Sequence, residues 1–227
     1  MVNDHTPPSR PGSSGAVTLH YILDPLCGWC YAVAPLIQAA HELLPIQLHA
    51  GGMMAGPNRR PVTPQLRQMV EQHDRRIARL SGQPFGEAYR DGLLCDQSAV
   101  FDSEPPIIAI LAADECAGRG LDLLARMQTA HYVEGRRISD PTVLHALALD
   151  IGLDGFAFDA AYATQQGEPT RAHIRASRER LARVDGAGFP TLVLEREGRY
   201  EVMDIMGYLG QPSAWLSRLA EVSRSDS

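Results

Sequence analysis

Cys27 and Cys30 stand three residues apart in "LDPLCGWCYAVAP", residues 23–35. A CxxC of this kind is half of a metal site, a redox couple, or two thiols packed in a core. Zinc sites complete a CxxC with two further ligands at compatible spacing. Here Cys95 and Cys116 lie far apart and form no second CxxC, and the histidines at 5, 20, 41, 49, 73, 131, 145 and 173 include no HxxxH pair. No metal is therefore expected. A redox couple needs one thiol that ionises readily, because the thiolate is the attacking species, and a helix N-terminus promotes that. What the flanking chain builds around the pair decides whether Cys27 has such a terminus.

Residues 16–23, "AVTLHYIL", are β-branched and aliphatic and read as a buried strand that Asp24-Pro25 breaks. Val33, Leu36, Ile37, Ala40, Leu43 and Leu44 then recur at helical spacing. Cys27 thus falls where a strand hands over to a helix, and Cys30 falls about one turn inside. The helix dipole supplies ~0.3–1 kcal/mol, less than one pKa unit at ~1.4 kcal/mol, so direct N–H hydrogen bonds must supply any further shift. This placement makes Cys27 the expected nucleophile and Cys30 the more buried, resolving thiol. Asp24 reads first as a turn residue, with proton transfer as its other reading. Pro35 lacks a donor inside the helix and should kink it. "IQLHAGGM", residues 46–53, returns as a second strand and completes a βαβ unit.

The middle of the chain is helical. Thr63 caps and Pro64 opens a helix whose apolar face is Leu66, Met69, Val70, Ile77 and Leu80. Ser103 is the expected cap of the next helix and Gly118 its stop. Two more helices follow, the second with Asp140 as cap and Pro141 at its first position, and a shorter one spans about 155–164. A helix over about 170–184, "RAHIRASRERLAR" within it, reads as a solvated basic face. A hairpin turns at Glu197-Gly198, and a last helix packs Trp215, Leu219 and Val222. Cys95 is expected in a loop and Cys116 on a core helix face, each unpaired.

The chain has 227 residues, is 44% hydrophobic and carries a formal charge of −6. That suits one domain, or a domain with a large insertion. It leaves no electrostatic footprint for nucleic acid. No apolar run reaches ~20 residues, so no membrane span is expected. Residues 1–15 lack an apolar h-region and are rich in Pro, Ser and Gly, which predicts a disordered tail rather than a secretory signal. The expected location is cytoplasmic. Thiols there stay reduced, and a close cysteine pair is more often catalytic or metal-binding than structural.

With CxxC at a strand–helix junction, Pro35 eight residues after Cys27, and "GFPTLVLE" later in the chain, the sequence resembles the thioredoxin-fold superfamily. The helical block between its halves, with "DPLCGWC", "FDSEPP" and "HYVEGRRISDPTVL", resembles the DsbA-like branch. More narrowly, it is similar to cytoplasmic members described as predicted protein-disulfide isomerases, the FrnE-like group. The resemblance covers about residues 17–223. It implies an α/β thioredoxin fold with a large helical insertion, with 16–60 and 166–223 forming the thioredoxin-fold domain and 61–165 the inserted helical subdomain.

The activity it implies is thiol–disulfide exchange, as oxidoreductase or isomerase, through Cys27 and Cys30. Phe189-Pro190 should be a cis-proline loop beside the dithiol, where the Phe189 backbone pairs with an extended substrate. Trp29 either shapes substrate access or covers apolar surface. Protein or small disulfides are the implied substrates. No cofactor is implied, with glutathione as a redox partner. The sequence carries no reading of oligomeric state. No histidine stands inside this CxxC, unlike in DsbA, so a less oxidising couple is expected. The alternative is a glutathione-dependent small-molecule isomerase or transferase akin to 2-hydroxychromene-2-carboxylate isomerase. Those proteins generally carry serine at the first active position, which Cys27 argues against.

Overall fold

A computed structural model describes residues 17–224. The expected N-terminal tail lies outside the described residues. Strand β1 (Val17–Leu23) buries every residue from Leu19 to Leu23. It runs parallel to β2 (Ile46–Ala50), in register Leu19 with Ile46 through Leu23 with Ala50. On its other side it pairs antiparallel with β5 (Thr191–Arg196), which pairs antiparallel with β6 (Arg199–Met203). The sheet order is β2-β1-β5-β6. Strands distant in sequence thus become neighbours, and residues 188–192 come to lie beside the end of β1. The β5–β6 turn uses Glu197 and Gly198, both at positive φ (50° and 76°), the geometry that two-residue hairpins need.

Between β1 and β2 the expected single helix is two. α1 (Gly28–Ala32) ends at Val33, and α2 (Ala34–His41) restarts with Pro35 in its first turn. Pro35 cannot donate to the Tyr31 carbonyl, so the ladder breaks there. The freed carbonyl accepts instead from Gln83 Nε2 at 2.9 Å. α9 (Pro212–Arg224) packs on α2 and buries Trp215, Leu219 and Val222, as expected.

The helices between the sheet halves are α3 (Pro64–Ser81), α4 (Glu104–Ala117), α5 (Gly120–Tyr132), α6 (Pro141–Asp150), α7 (Gly155–Gln165) and α8 (Glu168–Arg183). Thr63 caps α3 through Oγ1, which accepts from Leu66 N at 3.1 Å, and Asp140 caps α6 by accepting from Thr142 N at 2.8 Å. The buried face of α3 is rotated from the expected one. Leu66, Asp74, Ile77 and Ser81 are inside, while Met69 and Leu80 are each 43% exposed. Two short strands, β3 (Arg60–Pro61) and β4 (Val100–Phe101), pair antiparallel and were not anticipated; two residues leave too little pattern to read.

Candidate active site

Cys27 is the N-cap of α1, with extended backbone (φ −84°, ψ 115°), and its side chain makes no capping bond. Its N–H donates to the Asp24 carbonyl at 3.1 Å, closing the turn that Asp24-Pro25 begins. Cys30 lies inside α1 and is sealed from solvent; Cys27 keeps 6% exposure. Both thiols are free. A hydrogen bond from the Cys30 thiol, with the N–H groups of Cys30 and Trp29, holds the Cys27 thiol below its ordinary value against the opposite pull of burial. Burial foremost, then the hydrogen bond to Cys27 and its charge, pushes Cys30 well up. The pair therefore splits into one thiol that ionises early and one that keeps its proton.

Asp24 is fully buried behind the pair. Its carboxylate accepts from Leu26 N at 2.9 Å, Met53 N at 2.5 Å and the Ser103 hydroxyl at 3.0 Å. Burial raises it to about 6 against the lowering effect of those bonds. Ser103 does sit at the N-cap of α4, but its side chain does not cap. It donates to Asp24 and accepts from Met54 N at 3.0 Å, so it ties the helical block to the CxxC turn. Asp24 N–H in turn donates to Cys30 Sγ at 3.5 Å, and the Tyr21 hydroxyl donates to the Cys30 carbonyl at 3.2 Å.

The hairpin half arrives from the other side. The Phe189-Pro190 bond is cis, and the Cys27 thiol donates to the Phe189 carbonyl at 3.4 Å. The Phe189 ring lies over Gly51, where a Cβ would meet its Cζ at 2.2 Å, so a side chain at position 51 would have to push the ring aside. Arg178 of α8 donates to the carbonyls of Gly51 and Gly52 at 2.6 and 2.5 Å, and His173 Nε2 accepts from Ala50 N at 3.0 Å. The basic helix is thus only partly the solvated face expected of it. Two of its members fix the loop beneath Phe189. Of the other cysteines, Cys95 is exposed in a short turn and Cys116 is half-buried on α4.

In front of the dithiol, α3 packs beside α1. A Cβ on Gly28 would meet Ile77 Cδ1 at 2.8 Å and Asp74 Oδ1 at 3.6 Å, so a side chain there would have to displace the end of Ile77. The Arg76 guanidinium stands 5.5 Å over the Trp29 ring. Between α1 and α3 opens a cavity of about 310 Å³ that reaches Cys27 and Trp29 and is walled by Met53, Met69, Ile77 and Tyr89. Cys27, Cys30, Trp29, Phe189 and Pro190, the residues expected from sequence, gather at one end of the sheet. Asp74, Ser103 and Arg178 were missed. Asp74 carried a signal, because it sits four residues after Val70 and three before Ile77, on a helical apolar stripe where a carboxyl is out of place.

No protein-family model and no curated protein matches the chain. Solved structures do. The cytosolic disulfide reductase DsbM from Pseudomonas aeruginosa is 52% identical, over 92% of this chain and 100% of its own, with a TM-score of 0.87. The same reductase solved with glutathione (GSH) is 51% identical, over 91% of this chain and 99% of its own, with a TM-score of 0.83. A structure from Nitrosomonas europaea, 24% identical over 91% of this chain and 97% of its own, shares the fold with a TM-score of 0.74.

Proposed function

This chain belongs to the DsbA-like thioredoxin-fold family of thiol–disulfide oxidoreductases, and from that premise we propose that it is a glutathione-coupled disulfide reductase working in the cytoplasm. The observation that carries this reading is the asymmetry of the two thiols, Cys27 held low and at the helix edge, Cys30 held high and sealed. The Cys27 thiolate attacks one sulfur of a disulfide substrate. A bond forms between Cys27 and that sulfur, the substrate S–S bond breaks, and the other half leaves as a thiol. Cys30 then loses its proton and attacks Cys27 Sγ, expelling the second half and closing Cys27–Cys30. Two molecules of glutathione reopen it, leaving glutathione disulfide. The likeness to a reductase that has been solved with glutathione supports the donor. The described residues include no helix long and apolar enough to cross a membrane.

The Phe189 carbonyl and the Trp29 ring flank Cys27 and form the substrate edge of this reading. Cys30→Ser should trap mixed disulfides on Cys27, detected by mass spectrometry after incubation with glutathione disulfide. Trapping only in Cys27→Ser would overturn the assignment of roles. The Cys27 thiolate draws its help from a thiol and from backbone N–H groups, and no cation figures among the leading influences on it. The couple should therefore lie between about −270 mV and about −120 mV, the thioredoxin and DsbA values. Equilibration against glutathione measures it, and a value at or above the upper bound would count against a reductase.

A further inference from the structure

Asp74 is a buried carboxyl on the wall of the cavity that opens beside Cys27. Its Oδ2 accepts from the Tyr89 hydroxyl at 3.1 Å. Its Oδ1 has no hydrogen-bond partner among the described residues, and it stands 3.6 Å from where a Cβ on Gly28 would be, against the turn between the two cysteines. The wall around it is mixed, with Met53, Met69 and Ile77 beside the polar side chains of Arg60, His73 and His131. A buried carboxyl with one free oxygen, set against the reactive turn and the only acid on the cavity wall among the described residues, has the placement of a proton donor.

Resting on the reductase reading, we propose that this cavity seats the departing half of a small disulfide and that Asp74 gives its proton to the sulfur that leaves when Cys27 attacks. The Cys27–sulfur bond forms as the substrate S–S bond breaks. The electron pair of that bond goes to the departing sulfur, which takes the proton from Asp74 and leaves as a neutral thiol. Asp74, now a carboxylate, recovers a proton from solvent before the next turnover. Electrons enter the cycle only through the glutathione that reopens Cys27–Cys30. The carboxyl suits the task, because burial pushes it up to about 7, against the lowering effect of the Tyr89 bond. The titratable and charged groups around it are Glu71, His73 and Arg75 on its own helix, Arg60 of β3, Tyr89, His131 and Tyr132 of α5, and Cys27 across the cavity.

A donor of this kind matters when the departing thiolate is a strong base and not when it leaves unaided. The test compares two substrates, the mixed disulfide of glutathione with 2-mercaptoethanol and that with 5-thio-2-nitrobenzoate, whose thiol is far more acidic. In Asp74→Asn, kcat/KM for the first should fall about a hundredfold, the low end of what a positioned acid contributes. Turnover of the second should stay within about twofold, which a merely structural role for Asp74 would not allow. An equal loss on both substrates, or no loss on either, overturns the proposal. A second measurement needs no variant. For the wild-type protein, kcat/KM for the mercaptoethanol substrate, divided by that for the nitrothiobenzoate substrate, should decline as pH rises through about 7. A ratio that does not change with pH overturns the assignment even if Asp74→Asn fails to fold. A wild-type protein inert toward both substrates would instead overturn the reductase reading itself.

Discussion

Two buried carboxyls flank the dithiol, and they are built differently. Asp24, behind it, has three donors aimed at its carboxylate, from Leu26, Met53 and Ser103. Asp74, in front, has only the Tyr89 hydroxyl. Burial alone would raise both. It brings Asp24 to about 6 and Asp74 to about 7, against the lowering effect of the bonds each accepts. The first spends both oxygens tying three segments together, and the second has one oxygen unspent. Three donors make Asp24 a carboxyl that holds structure, and the unspent oxygen of Asp74 leaves it able to exchange a proton.

If that distinction is right, removing the two acids should have opposite signatures. Asp24→Ala strands two backbone N–H groups and a hydroxyl in the interior, each costing roughly 1–3 kcal/mol. We expect a loss of about 3–5 kcal/mol in urea unfolding at pH 7, with Met53, Met54 and Ser103 losing hydrogen-exchange protection. A loss below about 1 kcal/mol would remove the distinction. Asp74→Asn should instead change how stability depends on pH. An acid whose folded value lies above its unfolded one binds its proton more tightly in the fold. Its contribution therefore weakens as pH rises from the ordinary carboxylate range to about 7, and stays weakened above. The asparagine variant should lack that decline and gain on the wild type by a few kcal/mol between pH 4 and pH 8, an order-of-magnitude figure at ~1.4 kcal/mol per unit. Parallel stability–pH curves for the two proteins would contradict it.

A third substitution probes the contact between α3 and the CxxC. Gly28→Ala puts a methyl group 2.8 Å from Ile77 Cδ1. Overpacking of that kind costs about 1–3 kcal/mol, and Ile77→Val should recover part of it by giving the methyl room. Failure of the double variant to recover would mean that the Ile77 contact is not what disfavours a side chain at position 28.

Much of this site was legible because its chemistry is local. The Asp-Pro break, the CxxC spacing and the helical periodicity after it all lie within residues 23–44, and they were enough to put Cys27 at a helix edge and Cys30 inside. The hairpin was legible for the same reason, from alternating residues around Glu197-Gly198. What stayed hidden is set by contacts between segments far apart in sequence. Ser103 looks like a helix cap, and only the fold shows its hydroxyl spent on Asp24, 79 residues away. Arg178 looks like one more arginine on a basic face until β2 brings Gly51 and Gly52 beneath it. Met69 and Leu80 fit the apolar stripe of α3 by spacing, but the stripe that packs is one turned toward Asp74. A period identifies a face without saying how far it is rotated about the helix axis.

The smallest expected effect concerns how firmly the front wall is attached. Pro35 leaves the Tyr31 carbonyl without its helical donor, and Gln83, two residues past the end of α3, supplies one at 2.9 Å. This bond links the broken CxxC helix to the segment leaving α3. The Tyr31 hydroxyl adds a second link by donating to the Pro84 carbonyl at 2.8 Å. Gln83→Ala removes only the first. A buried carbonyl left short of one bond, with the second link intact, should cost about 1 kcal/mol. Neither thiol touches Gln83, so the potential of the Cys27–Cys30 couple should not move. Tyr31→Phe should cost a similar amount, and the double variant more than the sum if the two bonds brace one joint. Strict additivity would show that the wall is held by the apolar contacts around Ile77, and that the two links serve only to satisfy the carbonyls they meet.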